Sequence, residues 1–204
     1  MSTSAGLRED GSLDFQRFAG WAAVLAGVAG AGYAVSFVVL KVPTLSALFL
    51  TTAPLLATAG LVAVYTRLRE VDAEFALLGL AFGLIGSVGA AVHGAYDIAT
   101  ILRPETGAPD LPNAIDPRGF LTFGLTGIAL IILAWLATRS DVLPSWVGPL
   151  GLLLGVVLVL TWLGRLVVFE ATNPLVLGPA LVAGVLSPLF YLGLGAWLLG
   201  WRRA

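Results

Sequence analysis

The stretch EFALLGLAFGLIGSVGAAVHGAYDIATI fills residues 74–101 and decides the fold. Across it only Glu74, His93 and Asp97 can carry charge, and a helix of about 20 apolar residues already crosses a hydrocarbon layer. Taken at every third or fourth position, the stretch yields Gly79, Gly83, Gly86, Ala90, His93 and Asp97, which form one face of a helix. The first part of that face is small enough for a neighbouring helix to approach closely. Its last part holds the chain's only histidine, with a carboxylate one turn further on.

Outward from this stretch the composition keeps the same character. Of 204 residues, 58% are hydrophobic and 11% charged, against roughly half and a quarter in soluble domains. The mean hydropathy is +0.96. This length holds six membrane spans with short loops and leaves no room for a separate soluble domain, so an all-α, six-helix transmembrane bundle is expected. A net charge of -1 provides no basic surface for nucleic acid. With no Cys there is no disulfide framework, thiolate zinc site, cysteine-held iron–sulfur cluster or thioether-attached haem. A single His excludes a bis-histidine haem within one chain. Ten of the eleven basic residues are Arg, and Ala, Gly, Leu and Val dominate, a bias that suggests a GC-rich bacterial coding sequence.

Residues 1–17 are polar and mixed in charge, without the basic start, short apolar core and small-residue cleavage site of a secretory signal. The first helix is therefore expected to remain as an uncleaved anchor. The spans are predicted at 18–40, 44–67, 74–101, 117–138, 144–169 and 174–201, with a loop at 102–116. Lys41 and Pro43 end the first, and Pro54 is expected to kink the second near Thr51. Asp116-Pro117 and Asn173-Pro174 each read as an N-cap followed by proline at the first helical position. Pro179 and Pro188 are expected to bend the sixth span.

Orientation follows from the basic residues. With a cytoplasmic N-terminus the inner side holds Arg8, Arg17, Arg67, Arg69, Arg139, Arg202 and Arg203, and the outer side holds Lys41, Arg103, Arg118 and Arg165. That asymmetry favours both termini inside, in the inner (plasma) membrane. Trp21, Trp135, Trp146, Trp197 and Trp201 fall at inner ends, as an aromatic belt would, and only Trp162 does not. The loop at 102–116 divides the chain into two three-span halves, which would be inverted relative to each other.

Span five has its own ridge: Gly148, Gly151, Gly155, Leu158, Trp162, Arg165 and Phe169. From the inner boundaries, His93 and Arg165 both lie roughly 27–29 Å along their helices at about 1.5 Å per residue. The expectation is that spans three and five pack through their glycine ridges. His93, Asp97, Trp162, Arg165 and Glu170 would then gather near the outer surface as a ligand site. Arg165 would hold an anionic group and draw Asp97 or Glu170 as a counter-charge, because a lone charge in lipid is costly. Asp97 would hydrogen-bond His93 and fix its tautomer, and Trp162 would add a cation–π contact. The plainer alternatives are charges at headgroup level, a histidine that hydrogen-bonds between helices, and glycines that only pack. No phosphate loop, His-Glu-x-x-His or Gly-x-Ser-x-Gly motif occurs, so no catalytic residue, metal or cofactor is expected.

Leu163-Gly164-Arg165, Asn173-Pro174-Leu175-Val176-Leu177, Gly184 and Pro188-Leu189-Phe190-Tyr191 together resemble the last two helices of small six-helix bacterial membrane proteins of unknown function. The resemblance implies the six-helix architecture and a bacterial source, and brings no activity with it. Three functional readings stand open: a membrane protein that binds a small or amphiphilic ligand, an accessory subunit of a larger membrane complex, and a small transporter.

Overall fold

The structure is a computed structural model that describes residues 3–103, 118–168 and 173–201. Among them there is no strand, and six helices are long and apolar enough to cross a membrane. They are α1 (Thr3–Ala34), continued by a π-helical turn (Val35–Leu40), α2 (Pro43–Leu68), α3 (Ala73–Leu102), α4 (Arg118–Thr138), α5 (Val147–Val167) and α6 (Pro174–Leu198). Large apolar side chains line the outside, among them Phe18, Val28, Val39, Val92 and Val185. A surface of that kind is matched to lipid and not to water, and with six helices long and apolar enough to cross a membrane it suggests a multi-pass membrane protein.

Local chemistry explains the helix ends. The Asp72 side chain accepts the Phe75 N–H at 3.1 Å and starts α3. Asn173 accepts the Leu175 N–H at 3.0 Å ahead of Pro174, the cap-plus-proline start expected for the sixth span. The Asp116-Pro117 expectation lies outside the described residues. Lys41 stops the first span in the left-handed region at φ 52, and Pro43 opens α2. The sixth span stops short of Trp201. Gly200, at φ 76, lets its own N–H reach the Trp197 carbonyl and the Trp201 N–H reach that of Ala196, a glycine-terminated helix end. The fifth span starts later than expected, because the Pro144 carbonyl accepts the Val147 N–H in a turn. The π-helical turn was not foreseen. Within it the Ser36 hydroxyl donates to the Tyr33 carbonyl at 3.1 Å.

Each helix packs against its neighbours in sequence, α6 returns to α1, and α2 also touches α4 and α6 across the ring that results. Ala23 faces Gly60 across α1 and α2, Thr51 faces Gly94 across α2 and α3, and Leu133 faces Gly79 across α3 and α4. Gly127 faces Gly155 across α4 and α5, Leu175 faces Gly164 across α5 and α6, and Leu192 faces Gly27 where α6 closes on α1. Since lipid tails are as apolar as leucine, close packing at such small-residue seams supplies the attraction that water exclusion supplies elsewhere.

This order corrects one expectation. Among the described residues α3 and α5 do not touch, because α4 lies between them. The ridge of α3 packs on α4 through Gly79, Gly83 and Gly86, and the ridge of α5 packs on the other side of α4 through Gly148, Gly151 and Gly155. Both seams are real, and α4 is their shared partner.

One end of the ring carries the start of α1 and the end of α6, and we call the opposite end the far end. At the first, Gln16 Nε2 donates to the Leu198 carbonyl at 3.0 Å while Arg67 Nη2 donates to Gln16 Oε1 at 2.9 Å, tying α1, α2 and α6. Aromatic side chains collect there too. Trp21 meets Trp201 edge to face at 5.4 Å, and Phe75 meets Trp135 at 5.3 Å. The Arg139 guanidinium lies 4.6 Å from the Trp135 ring centroid.

Candidate functional site

The inward stripes of α1, α3 and α5 share one design. In α1 the stripe runs Ala19, Ala22, Ala26, Ala29, Tyr33 and Ser36; in α5 it runs Val147, Gly151, Leu154, Leu158, Thr161 and Arg165. In α3 the buried positions Ala76, Gly83 and Ala90 lead at heptad spacing to Asp97, and Gly79 and Gly86 lead to His93. Each stripe is small or apolar toward the chain ends and turns polar toward the far end. These are alternate helices of the ring, and among the described residues none of the three packs against another.

Arg165 is completely buried, and its Nη1 donates to the Val168 carbonyl at 3.2 Å, just past the end of α5. Thr161, one turn earlier, is 3% exposed, and its hydroxyl donates to the Val157 carbonyl. On α3, His93 Nε2 lies 3.8 Å from Asp97 Oδ1, with 11% and 19% of the two side chains exposed. That separation is too long for the hydrogen bond expected between them; the contact is electrostatic. Neither residue nor Arg165 stands without a further partner.

Tyr33 is the residue that sequence reasoning missed. It lies within electrostatic range of Asp97, although α1 and α3 do not pack together. The tyrosine ring is stacked on Phe37 with centroids 5.6 Å apart. A signal for it existed, because Tyr33 continues the heptad of Ala19 and Ala26 and breaks its run of alanines.

Two expected contacts of Arg165 are not made. Asp97 does not pair with it, since His93–Asp97 is the one ion pair among the described residues. Trp162 makes no cation–π contact with it and instead packs its ring where a Cβ on Gly124 of α4 would stand, 2.6 Å away. That glycine draws the indole sideways into the seam. Glu170 lies outside the described residues.

A void of about 10 Å³ is lined by Leu61, Val64, Leu130, Leu133, Val147 and other apolar side chains. It is at the lower limit for one water and offers no polar partner to hold it, so it stays dry. Helix α6 runs unbroken through Pro179 and Pro188, and Pro188 is buried against Gly30 of α1. Among the described residues no group of three or more His, Cys, Asp or Glu could hold a metal ion.

Compared with models of protein families, with curated proteins and with solved structures, the chain finds no match in any of the three. The resemblance of its last two helices to small bacterial membrane proteins gains no support there.

Proposed function

We propose that this is a bacterial plasma-membrane protein, with both termini cytoplasmic, that binds a small or amphiphilic ligand bearing an anionic group in a pocket opening at the far, outward end. The observation that carries this reading is the common design of the three inward stripes, each ending at that level in Tyr33, His93 with Asp97, or Arg165. A fully buried guanidinium in a membrane helix is expensive, and such residues mark binding sites more often than scaffolding. Arg165 serves the anionic group in bidentate fashion. Asp97 and His93 serve the opposite side.

Transport is the weaker reading because α6 offers no broken helix beside the polar groups. A role as accessory subunit draws on a separate observation. Only 28% of the α1 and α6 spans is buried, against 39–44% for the others, which leaves one side of the ring free for a membrane partner.

Native mass spectrometry of the detergent-purified protein tests the proposal. A discrete adduct is expected on the wild type, lost in Arg165→Ala and retained in part by Arg165→Lys, which keeps the charge and loses the fork. Identical spectra from all three proteins would overturn it. Co-purification of a stoichiometric membrane partner would favour the subunit reading.

A further inference from the structure

We propose that the far half of the α1–α6 seam is a side gate to the bilayer: α6 pivots at Pro188, its far half parts from α1, and its near half stays clasped. This inference goes beyond the binding reading and does not depend on it.

Three observations carry it. First, the seam is tight in one half and loose in the other. In the near half, would-be Cβ atoms on Gly20, Gly195 and Gly27 stop 2.8 Å from the Leu199 side chain, 2.7 Å from the Gly20 carbonyl oxygen and 2.9 Å from the Leu192 backbone nitrogen. From Pro188 outward the spacing relaxes. The would-be Cβ of Gly30 stands 3.6 Å from the Pro188 ring, that of Gly184 stands 3.8 Å from the Ala34 methyl, and that of Gly178 has nothing within 4 Å. Second, the far ends have separate supports. Among the described residues, the π-helical turn that ends the first span packs on α1 and α2 and not on α6. The far tip of α6 rests on α5, where the would-be Cβ of Gly164 lies 3.0 Å from the Leu175 carbonyl oxygen. Third, α6 carries its joint where the spacing changes. Pro188 has no N–H to give to the Gly184 carbonyl, and Pro179 has none to give to that of Leu175. The helix keeps its shape through both prolines, but a rung of its ladder is missing at each end of the loose segment. Sharp bends in helices fall at such places.

The near half has the fastenings that a pivot needs. Gln16 Nε2 donates to the Leu198 carbonyl at 3.0 Å, and Trp21 meets Trp201 edge to face. Lipid tails are as apolar as the seam itself, so only close packing holds two such helices together, and the far half lacks it. The parting faces are Gly30, Ala34, Gly184 and Pro188, and opening them to acyl chains strips no charge of its partner.

The test uses the full chain in phosphatidylcholine nanodiscs, with distances read by pulsed electron paramagnetic resonance. The chain has no native cysteine, so spin labels attach only where cysteines are introduced. Val35→Cys with Val185→Cys reads the far half, and Val28→Cys with Leu189→Cys reads the near half; all four native side chains are exposed. The far pair is expected to give two distances and the near pair one, as a hinge between them requires. Pro188→Ala restores the missing rung, and Gly184→Ala adds a methyl against Ala34. Each should shift weight from the longer far-pair distance to the shorter. Should Pro188→Ala fail to fold, Gly184→Ala carries the same readout. A far pair with a single distance, as narrow as that of the near pair, would overturn the gate. Two distances in both pairs, or a far-pair distribution that neither variant moves, would overturn the pivot at Pro188 and the proposal with it. No ligand is present in the measurement, so its failure leaves the binding reading in place, and a missing adduct in the mass spectra leaves the gate in place.

Discussion

Gly127 and Gly155 meet backbone to backbone: a Cβ placed on either would stop 2.7 Å from the carbonyl oxygen of the other. This reciprocal contact sets the distance between α4 and α5, and no side chain stands between them to move aside. Gly155→Ala is therefore expected to destabilise the protein by about 1–3 kcal/mol, the usual cost of overpacking. Gly178 has nothing within 4 Å of its would-be Cβ, so Gly178→Ala should stabilise the helix by about 0.5–1 kcal/mol. Denaturant unfolding in mixed micelles reads both, and equal effects would show that the α4–α5 seam is looser than described.

The order of helices around the ring is testable by cross-linking, because the chain has no native cysteine. Would-be Cβ atoms lie 3.6 Å apart for Ala23 and Gly60, 3.5 Å for Ala129 and Gly83, and 3.8 Å for Ala34 and Gly184. These separations suit a disulfide. Double replacement by cysteine at each pair should give an oxidised species of altered gel mobility. The Gly83→Cys, Gly155→Cys pair should not, since α3 and α5 do not touch. Its cross-linking would restore the direct packing of the two ridges.

Where α1 starts and α6 ends, one glutamine serves three helices. Gln16→Ala removes the bonds to Arg67 and to the Leu198 carbonyl. The expected loss is about 1–2 kcal/mol, for two hydrogen bonds of which one involves a charge. Arg67→Met removes one of the two and should cost about half as much. Comparable losses would place the energy in Arg67 and not in the bridge.

Lys41 holds φ 52 with a side chain attached, a conformation that costs an L-residue about 1–2 kcal/mol. Lys41→Gly is expected to raise stability by about 1 kcal/mol, and Lys41→Val to lower it by a similar amount, since branching at Cβ worsens the clash. A glycine variant less stable than the wild type would assign Lys41 a side-chain role that outweighs its backbone strain.

What the sequence revealed and what it concealed follow from the range of each signal. Asn173-Pro174 announces a helix start because capping is settled within three residues, and the six spans are legible because apolar length is counted along the chain. Neighbour order is not local. The ridges of Gly79, Gly83 and Gly86 and of Gly148, Gly151 and Gly155 state that something packs closely there, without stating what. The missing information lay in α4, whose Gly124, Gly127, Ala129 and Ala134 give it two small-residue faces. His93, Asp97 and Arg165 stood out because charge is rare in such segments. Tyr33 did not, because an aromatic near a helix end reads as membrane anchoring until its heptad is compared with Ala19 and Ala26.

The closure of α6 on α1 has a temporal side. Residues 19 and 198 sit near the same seam but leave the ribosome far apart, at roughly 5–20 residues per second some 10–40 s apart. Throughout that interval the face of α1 that carries Gly20, Gly27 and Gly30 lacks the helix it packs against. The clasp is thus the last piece of the ring to be synthesised. Whatever shields α1 during the wait, lipid or chaperone, has to leave when Leu192 and Pro188 arrive.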